Sequence, residues 1–431
     1  MNLFSSFILL LFSAVSFGQH YTSYFTGNST DIVTNPSGGV CMMGGATEND
    51  NAMIWFLNRC DGGDVLVIRA SGSDGYNDYL FEELNVNVNS VETIVFNDSE
   101  ASTDPYILQK IKQAEGIWIA GGDQWDYVSY WRNTAIDSLI NDALINRSVV
   151  IGGTSAGMAV LGGFYFSAKN GTVTSAEALA NPYNSKVQVD SSAFLNIPIL
   201  YDVITDTHFD NPDRRGRSTV FLARILTDFG HDAKGIACGE YTAVCIPSDG
   251  NALVYGSGNH KAYFIQTNCE LQDRSPETCT SGIPLTWNRN MQALKVYRIT
   301  GTDTGTNTFN LNDWETGTGG YWENWYINNG TLFVSPGEKI NCSGLGTTET
   351  KIENDIYIYP NPAEDKIFIQ GSKYLSGDFE IFNAMGKPIN YSGILDLTEF
   401  SLDVSKLKPG MYYLKIVTSD QKIKFRKFIK L

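Results

Sequence analysis

From residue 39 to about residue 299, short apolar runs recur between glycines and aspartates: GVCMMGGA, DVLVIRASG, TIVFND, GIWIAGGD and SVVIGGTSAG. Longer amphipathic stretches such as AMIWFLNRC, ILQKIKQ and SLINDALIN separate them. Val- and Ile-rich runs spaced by segments of helical period predict βα units around a parallel sheet, an α/β fold. Ligands of such sheets sit at the carboxyl ends of the strands. The residues that follow the runs are therefore the informative ones: Gly44-Gly45, Ser71-Gly72-Ser73, Gly121-Gly122-Asp123-Gln124 and Thr154-Ser155.

The pattern changes near residue 300. Residues 301–334 are poor in Lys and Arg and rich in Gly, Thr, Asn and Trp, and they predict hairpins or long loops packed onto the preceding domain. Residues 343–354 read as a polar linker. From 355 to 431, apolar and polar residues alternate with turn signals between, as in IYIYPNPAEDKIFIQ and GMYYLKIVT, which predicts a small antiparallel β-sandwich. Residues 1–18 carry no charged side chain, and an apolar stretch over 7–15 precedes Ser16-Phe17-Gly18. This predicts a cleaved signal peptide, since the stretch is too short to span a bilayer. The expected mature body is thus 19–342.

Charge sharpens the boundary. The 431 residues hold 31 Lys and Arg against 47 Asp and Glu, for a formal net charge of −16. From Lys351 onward the count is 12 against 10, leaving 19 against 37 before it. An acidic body of this kind lacks the basic face that nucleic acid requires. The seven cysteines suit an exported chain in which some pair. Cys269 and Cys279, flanking a polar loop, are the expected bridge, and Cys238 and Cys245 in apolar runs are expected to stay as buried thiols. No CxxC or His-rich cluster suggests a metal site.

The segment Gly153-Thr154-Ser155-Ala156-Gly157 has the strand–turn–helix setting of a nucleophile elbow. Its glycines permit a sharp turn, and the Ala156 N–H faces developing negative charge. Ser155 is therefore the expected nucleophile; its rival reading is a helix N-cap. Of the four histidines, His20, His208, His231 and His260, only His208 follows a strand-like run that places it on the rim expected to carry Ser155. It is the expected base. A carboxylate should orient the imidazole, and Glu240 and Glu177 are both candidates. Gly121 or Gly122 can supply a second oxyanion donor. Arg214, Arg215 and Arg217 can clamp a substrate carboxylate.

At these residues the chain resembles the cyanophycinases and the aspartyl dipeptidases of the same peptidase family. The resemblance is carried by GGATEND, RASGSDGYN, AGGDQ, GGTSAG, TSAEALANP, DTHF followed by RRGR, and GEYTA, in order over about 38–300. It implies an α/β parallel-sheet sandwich like the class I glutamine amidotransferases and a Ser-His-Glu triad without a cofactor. It also implies cleavage after aspartyl residues, with β-linked Asp-Arg as the cyanophycinase substrate. Ser155, His208 and either Glu240 or Glu177 would form the triad, with Gln124, Arg214 and Arg217 contacting an Asp-containing peptide. Asn211-Pro212-Asp213 separates the arginines from His208, a departure that bears on the substrate. A homodimer is one assembly open to such a domain, and the sequence defines no oligomeric state.

The C-terminal segment resembles the type A sorting domain of the type IX secretion system through YPNPAED, FNAMGK, LDVSKLKPGMYYLKI and the basic KFRKFIKL ending. That implies passage through the outer membrane with the secretion machinery as partner, and a secreted or cell-surface product. Two rival functions remain. An α/β-hydrolase esterase would place its histidine late, making His260 the base. A non-catalytic binding protein would use the aromatic segment YWENWY at 321–326.

Overall fold

A computed structural model of the chain describes residues 19–190, 194–342, 356–383, 387–418 and 423–431. The expected signal peptide and linker lie outside the described residues. The chain divides into two compact units, the first ending at Lys339 and the second running from Ile340 to Leu431.

The first unit is built on two large sheets. The larger runs, edge to edge, through Tyr21–Gly27, Ser90–Phe96, Asp64–Arg69, Gly116–Ile119, Val150–Thr154, Val40–Met43, Ala243–Ile246, Asn251–Tyr255, Asn307–Asn310 and Gly317–Thr318. Its five strands from Ser90–Phe96 to Val40–Met43 are mutually parallel. The strands beyond them on either side pair antiparallel, so the sheet is mixed where the run pattern predicted a parallel one. For Ala243–Ile246 and Asn251–Tyr255 the reason is local, since the short connection 247–250 can only return a strand antiparallel, whereas parallel pairing needs a crossover. Gly116–Ile119 and Val150–Thr154 are buried throughout, as expected of strands covered on both faces.

The crossover helices begin where the sequence offers caps. Asn49 accepts from the Ala52 N–H and opens Asp50–Asn58. Asp104, followed by Pro105, opens Pro105–Gln113, and Asp123 opens Gln124–Trp131. Met53, Phe56 and Leu57 of the first helix pack with Cys41, Met43 and Trp118 of the sheet in one buried cluster.

The second sheet has six strands in the order Thr331–Pro336, Gly320–Asn328, Leu294–Thr300, Lys261–Thr267, Lys234–Cys238 and Val203–Asp206. Only its last two strands are parallel. Helix Arg215–Phe229 contributes Val220, Phe221 and Ile225 to a buried cluster with Tyr263, Trp287 and Trp325, and ends on Gly230 in the left-handed region. The 301–334 stretch is strand-rich. Part of it edges the larger sheet, and Gly320–Asn328 with Thr331–Pro336 form a hairpin on the smaller.

The second unit is an antiparallel sheet of five strands. Its longest pair, Lys366–Asn383 with Pro388–Asp403, shifts register between Gln370 and Leu375 and again between Glu380 and Ile381. Ile367, Ile381, Leu414, Ile416 and Phe428 are fully buried, the inward half of the alternation.

Candidate active site

Ser155 occupies the sharp turn between strand Val150–Thr154 and a single helical turn, Ala156–Ala159. Its backbone lies at φ 51°, ψ −116°, a conformation that L-residues adopt only when the surroundings impose it. The flanking glycines make that possible: a Cβ on Gly157 would lie 2.0 Å from the Ile119 carbonyl oxygen. The Ser155 side chain makes no capping hydrogen bond, which removes the N-cap reading. Its Oγ lies 2.9 Å from His208 Nε2.

His208 follows strand Val203–Asp206, and this strand belongs to the smaller sheet, not to the sheet that carries Ser155. The expectation of one shared rim is therefore corrected. The two side chains meet between sheets, both lying just past a strand's carboxyl end. His208 Nδ1 lies 2.8 Å from Glu240 Oε1, and Asn211 Nδ2 donates to the other carboxylate oxygen at 3.4 Å. With Glu240 ionised, this network assigns the Nδ1–H tautomer, which leaves Nε2 free to accept from the hydroxyl. The His208 bond, more than Asn211, holds the Glu240 carboxyl below its ordinary pKa. Both side chains are about one quarter exposed, 24% and 25%, so the group is open to a ligand yet partly shielded.

Residues 43–45 tie these pieces together. The Met43 carbonyl accepts the Ser155 N–H at 3.1 Å, the Gly44 carbonyl accepts that of His208 at 2.7 Å, and the Gly45 carbonyl accepts that of Tyr241 at 3.1 Å. Gly45, at φ 109°, lies against the imidazole, where a Cβ would stand 2.4 Å from Nε2. The sequence marked Gly44-Gly45 as a strand end but carried no signal of this bracing role. Asn211 as second donor to Glu240 was likewise not anticipated.

Glu177 is not near this group. Its carboxylate closes a capping box with Thr174 and pairs with Lys186 at 2.8 Å, and the Lys186 bond leads in lowering its pKa to about 2. That corrects its candidacy, since it caps helix Ser175–Ala180. Gly121 sits beside the serine, with a built Cβ 3.6 Å from Ser155 Cβ, while Gly122 packs under the Tyr127 hydroxyl. The Tyr127 hydroxyl donates to the carbonyls of Ala120 and Gly121 at 2.9 and 3.0 Å. Ala156 begins the turn after Ser155, but the single turn has little macrodipole to offer. Gln124 opens its helix and donates to the Phe166 carbonyl at 3.4 Å.

The arginines differ from expectation. Arg217 is 3% exposed and donates to Asp206 through Nε and Nη2, so it is not a free clamp; Asp206 takes Ser218 Oγ as well. Arg215 pairs with Asp213. Arg214 is half-buried, donates to the Thr207 carbonyl at 2.9 Å and makes no ion pair among the described residues.

The remaining histidines are occupied elsewhere. His20 lies against Asp98 and Glu100, His231 against Asp202, and His260 against Tyr241. In YWENWY both tryptophans, Trp322 and Trp325, are buried. The disulfide-bonded cysteines are Cys269 and Cys342, whereas Cys279 is free, which corrects the expected bridge. Sequence proximity favoured Cys279, but pairing requires Cα atoms within about 7 Å, which only the fold decides. Among the described residues, no group of three or more His, Cys, Asp or Glu is arranged to hold a metal ion.

Comparison with known proteins bears on both units. Residues 74–196 match peptidase family S51, a stretch that includes Ser155 and ends before His208 and Glu240. Residues 357–431 match the secretion system C-terminal sorting domain. The chain is 26% identical over 176 residues to a cyanophycinase of Synechococcus elongatus, covering 40% of this chain and 49% of that one. It is 26% identical over 180 residues to a cyanophycinase of Trichormus variabilis, covering 42% and 54%. It thus spans about half the length of the curated relatives it matches. Among solved structures it is similar to a peptidase from an acI-B1 actinobacterium, with a TM-score of 0.42, 14% identity and coverage of 64% of this chain and 98% of that one. The sorting domain marks the chain for export by the type IX secretion system to the cell surface or beyond.

Proposed function

We propose that the peptidase S51 domain of this exported chain is a serine-type hydrolase that cleaves peptide or isopeptide bonds after aspartyl residues. One observation carries the reading: Ser155 Oγ, the His208 ring and Glu240 Oε1 form a continuous chain with contacts of 2.9 and 2.8 Å. A hydroxyl, an imidazole and an orienting carboxylate in that order are what activation of a weak nucleophile requires.

In this mechanism His208 Nε2 takes the Ser155 proton as Oγ attacks the carbonyl after an aspartyl residue. Glu240 stabilises the imidazolium that forms. The N–H groups of Ala156 and of Gly121 or Gly122 receive the oxyanion. The imidazolium protonates the leaving amine, and an acyl-enzyme remains on Ser155. Water, deprotonated by His208, then hydrolyses that ester and restores the hydroxyl. Arg214 receives the substrate carboxylate, because Arg215 and Arg217 are already neutralised by Asp213 and Asp206.

The similarity to cyanophycinases supports β-Asp-Arg as a substrate class, with α-Asp-X peptides as the alternative. The test compares wild type with Ser155→Ala on both, alongside labelling by a fluorophosphonate probe. Loss of turnover and of labelling is expected. Intact activity in the variant would overturn the assignment, and failure of wild type to label would favour a non-catalytic binding role.

A further inference from the structure

Cys41 and Cys245 stand directly opposite one another in the antiparallel pairing of Val40–Met43 with Ala243–Ile246. Their sulfur atoms are 3.6 Å apart, and both side chains are fully buried. Directly opposed residues of an antiparallel pair have Cα separations of about 4.5–5.5 Å, inside the range that a disulfide spans. Closing the sulfurs to about 2.05 Å therefore asks for side-chain rotation, with little backbone movement. The same chain carries disulfide-bonded Cys269 and Cys342, so its thiols are expected to meet an oxidising compartment on the export route.

We propose that Cys41 and Cys245 are a latent cross-link that closes when the chain folds in that compartment. The two thiols lose two electrons and two protons. A small-molecule or protein disulfide takes them up, its S–S bond breaks to give two thiols, and the Cys41–Cys245 bond forms. The site matters because of what each strand leads into. Two residues after Cys41 the chain enters the 43–45 brace that bonds to Ser155, His208 and Tyr241, and Cys245 lies five residues beyond Glu240. A bond here would fasten the brace to the strand that follows the carboxylate loop. It would also close a chain loop of about 200 residues, the kind whose cross-linking restricts the unfolded state most.

The test uses the mature chain refolded in a buffer of reduced and oxidised glutathione, denatured with iodoacetamide, and mapped by mass spectrometry. Bonding of Cys269 and Cys342 in the same sample is the internal control that oxidation occurred. The expected result is a linked peptide pair containing Cys41 and Cys245, about 2 Da below the sum of the two thiol peptides, with neither residue alkylated. Heat inactivation should be slower than in Cys41→Ala or Cys245→Ala. Alkylation of both cysteines, or linkage of either to Cys238, while Cys269 and Cys342 are bonded, would overturn the proposal.

Discussion

The Gly44 carbonyl accepts the His208 N–H at 2.7 Å, and one residue later Gly45 lies against the same imidazole. A strand end of the larger sheet therefore holds the backbone and limits the room of a ring that enters from the smaller sheet. A Gly45→Ala substitution places a methyl 2.4 Å from Nε2, well inside van der Waals contact, and adds a side chain at positive φ. A displacement of the ring by about 1 Å is expected to lower kcat roughly 10²-fold, with KM little changed. Steady-state kinetics on Asp-containing peptides, with a melting curve to show that the variant folds, checks this.

Glu240 and Glu177 should separate cleanly. Glu240→Gln replaces an acceptor-only carboxylate with a neutral amide whose NH2 can face Nδ1 and favour the wrong tautomer, and it is expected to lower kcat by roughly 10³–10⁴. Glu177→Gln keeps a capping-box acceptor and loses only the partly exposed ion pair with Lys186, so it should lower Tm slightly while leaving kcat within about twofold of wild type. Comparable losses in both variants would contradict the geometry.

The Glu240 bond also sets a sign for stability against pH. Its carboxyl titrates below the ordinary glutamate value of about 4.3 when folded, chiefly because of His208. The unfolded chain therefore binds the proton more readily, and this group's contribution is complete above about pH 4.3 and lost as pH falls through the folded value. Melting curves of wild type and Glu240→Gln should accordingly converge as pH is lowered from 5 to 3. A gap that widens instead would refute the assignment.

Arg217 and Asp206 form a buried ion pair, 4% and 6% exposed at their side chains. Removing one partner leaves a charge without compensation, so Arg217→Met is expected to cost about 3–5 kcal/mol. The double variant Arg217→Met with Asp206→Asn should recover part of that loss. Denaturant titration measures both, and strict additivity would argue against coupling.

Arg214→Gln tests the substrate clamp. A charge-assisted contact to a carboxylate contributes about 1.5–3 kcal/mol, so kcat/KM for Asp substrates should fall roughly 10- to 100-fold. An unchanged value would place the recognition elsewhere.

Much of this molecule was legible along the chain because the determining interactions are local. A run such as 148–151 ahead of Gly152-Gly153 announces a buried strand, and Asn49, Asp104 and Asp123 begin helices by caps only a few residues away. Gly153 to Gly157 announce the elbow because only glycine fits where Gly157 meets the Ile119 carbonyl. The identity of Ser155 and His208 as a candidate pair follows from residue type and from their place after strands.

The tertiary structure decided what depends on approach between distant segments. Glu177 and Glu240 look alike as carboxylates, and only packing turns one to Lys186 and the other to His208, because a hydrogen bond needs the donor within about 3 Å and no local pattern encodes that. The arginines following His208 look equivalent until Asp206 and Asp213 claim two of them. The two-sheet origin of the site, the 43–45 brace and the opposition of Cys41 to Cys245 belong to the same class. Each joins residues that share no local period, and so each exists only once the sheets have paired.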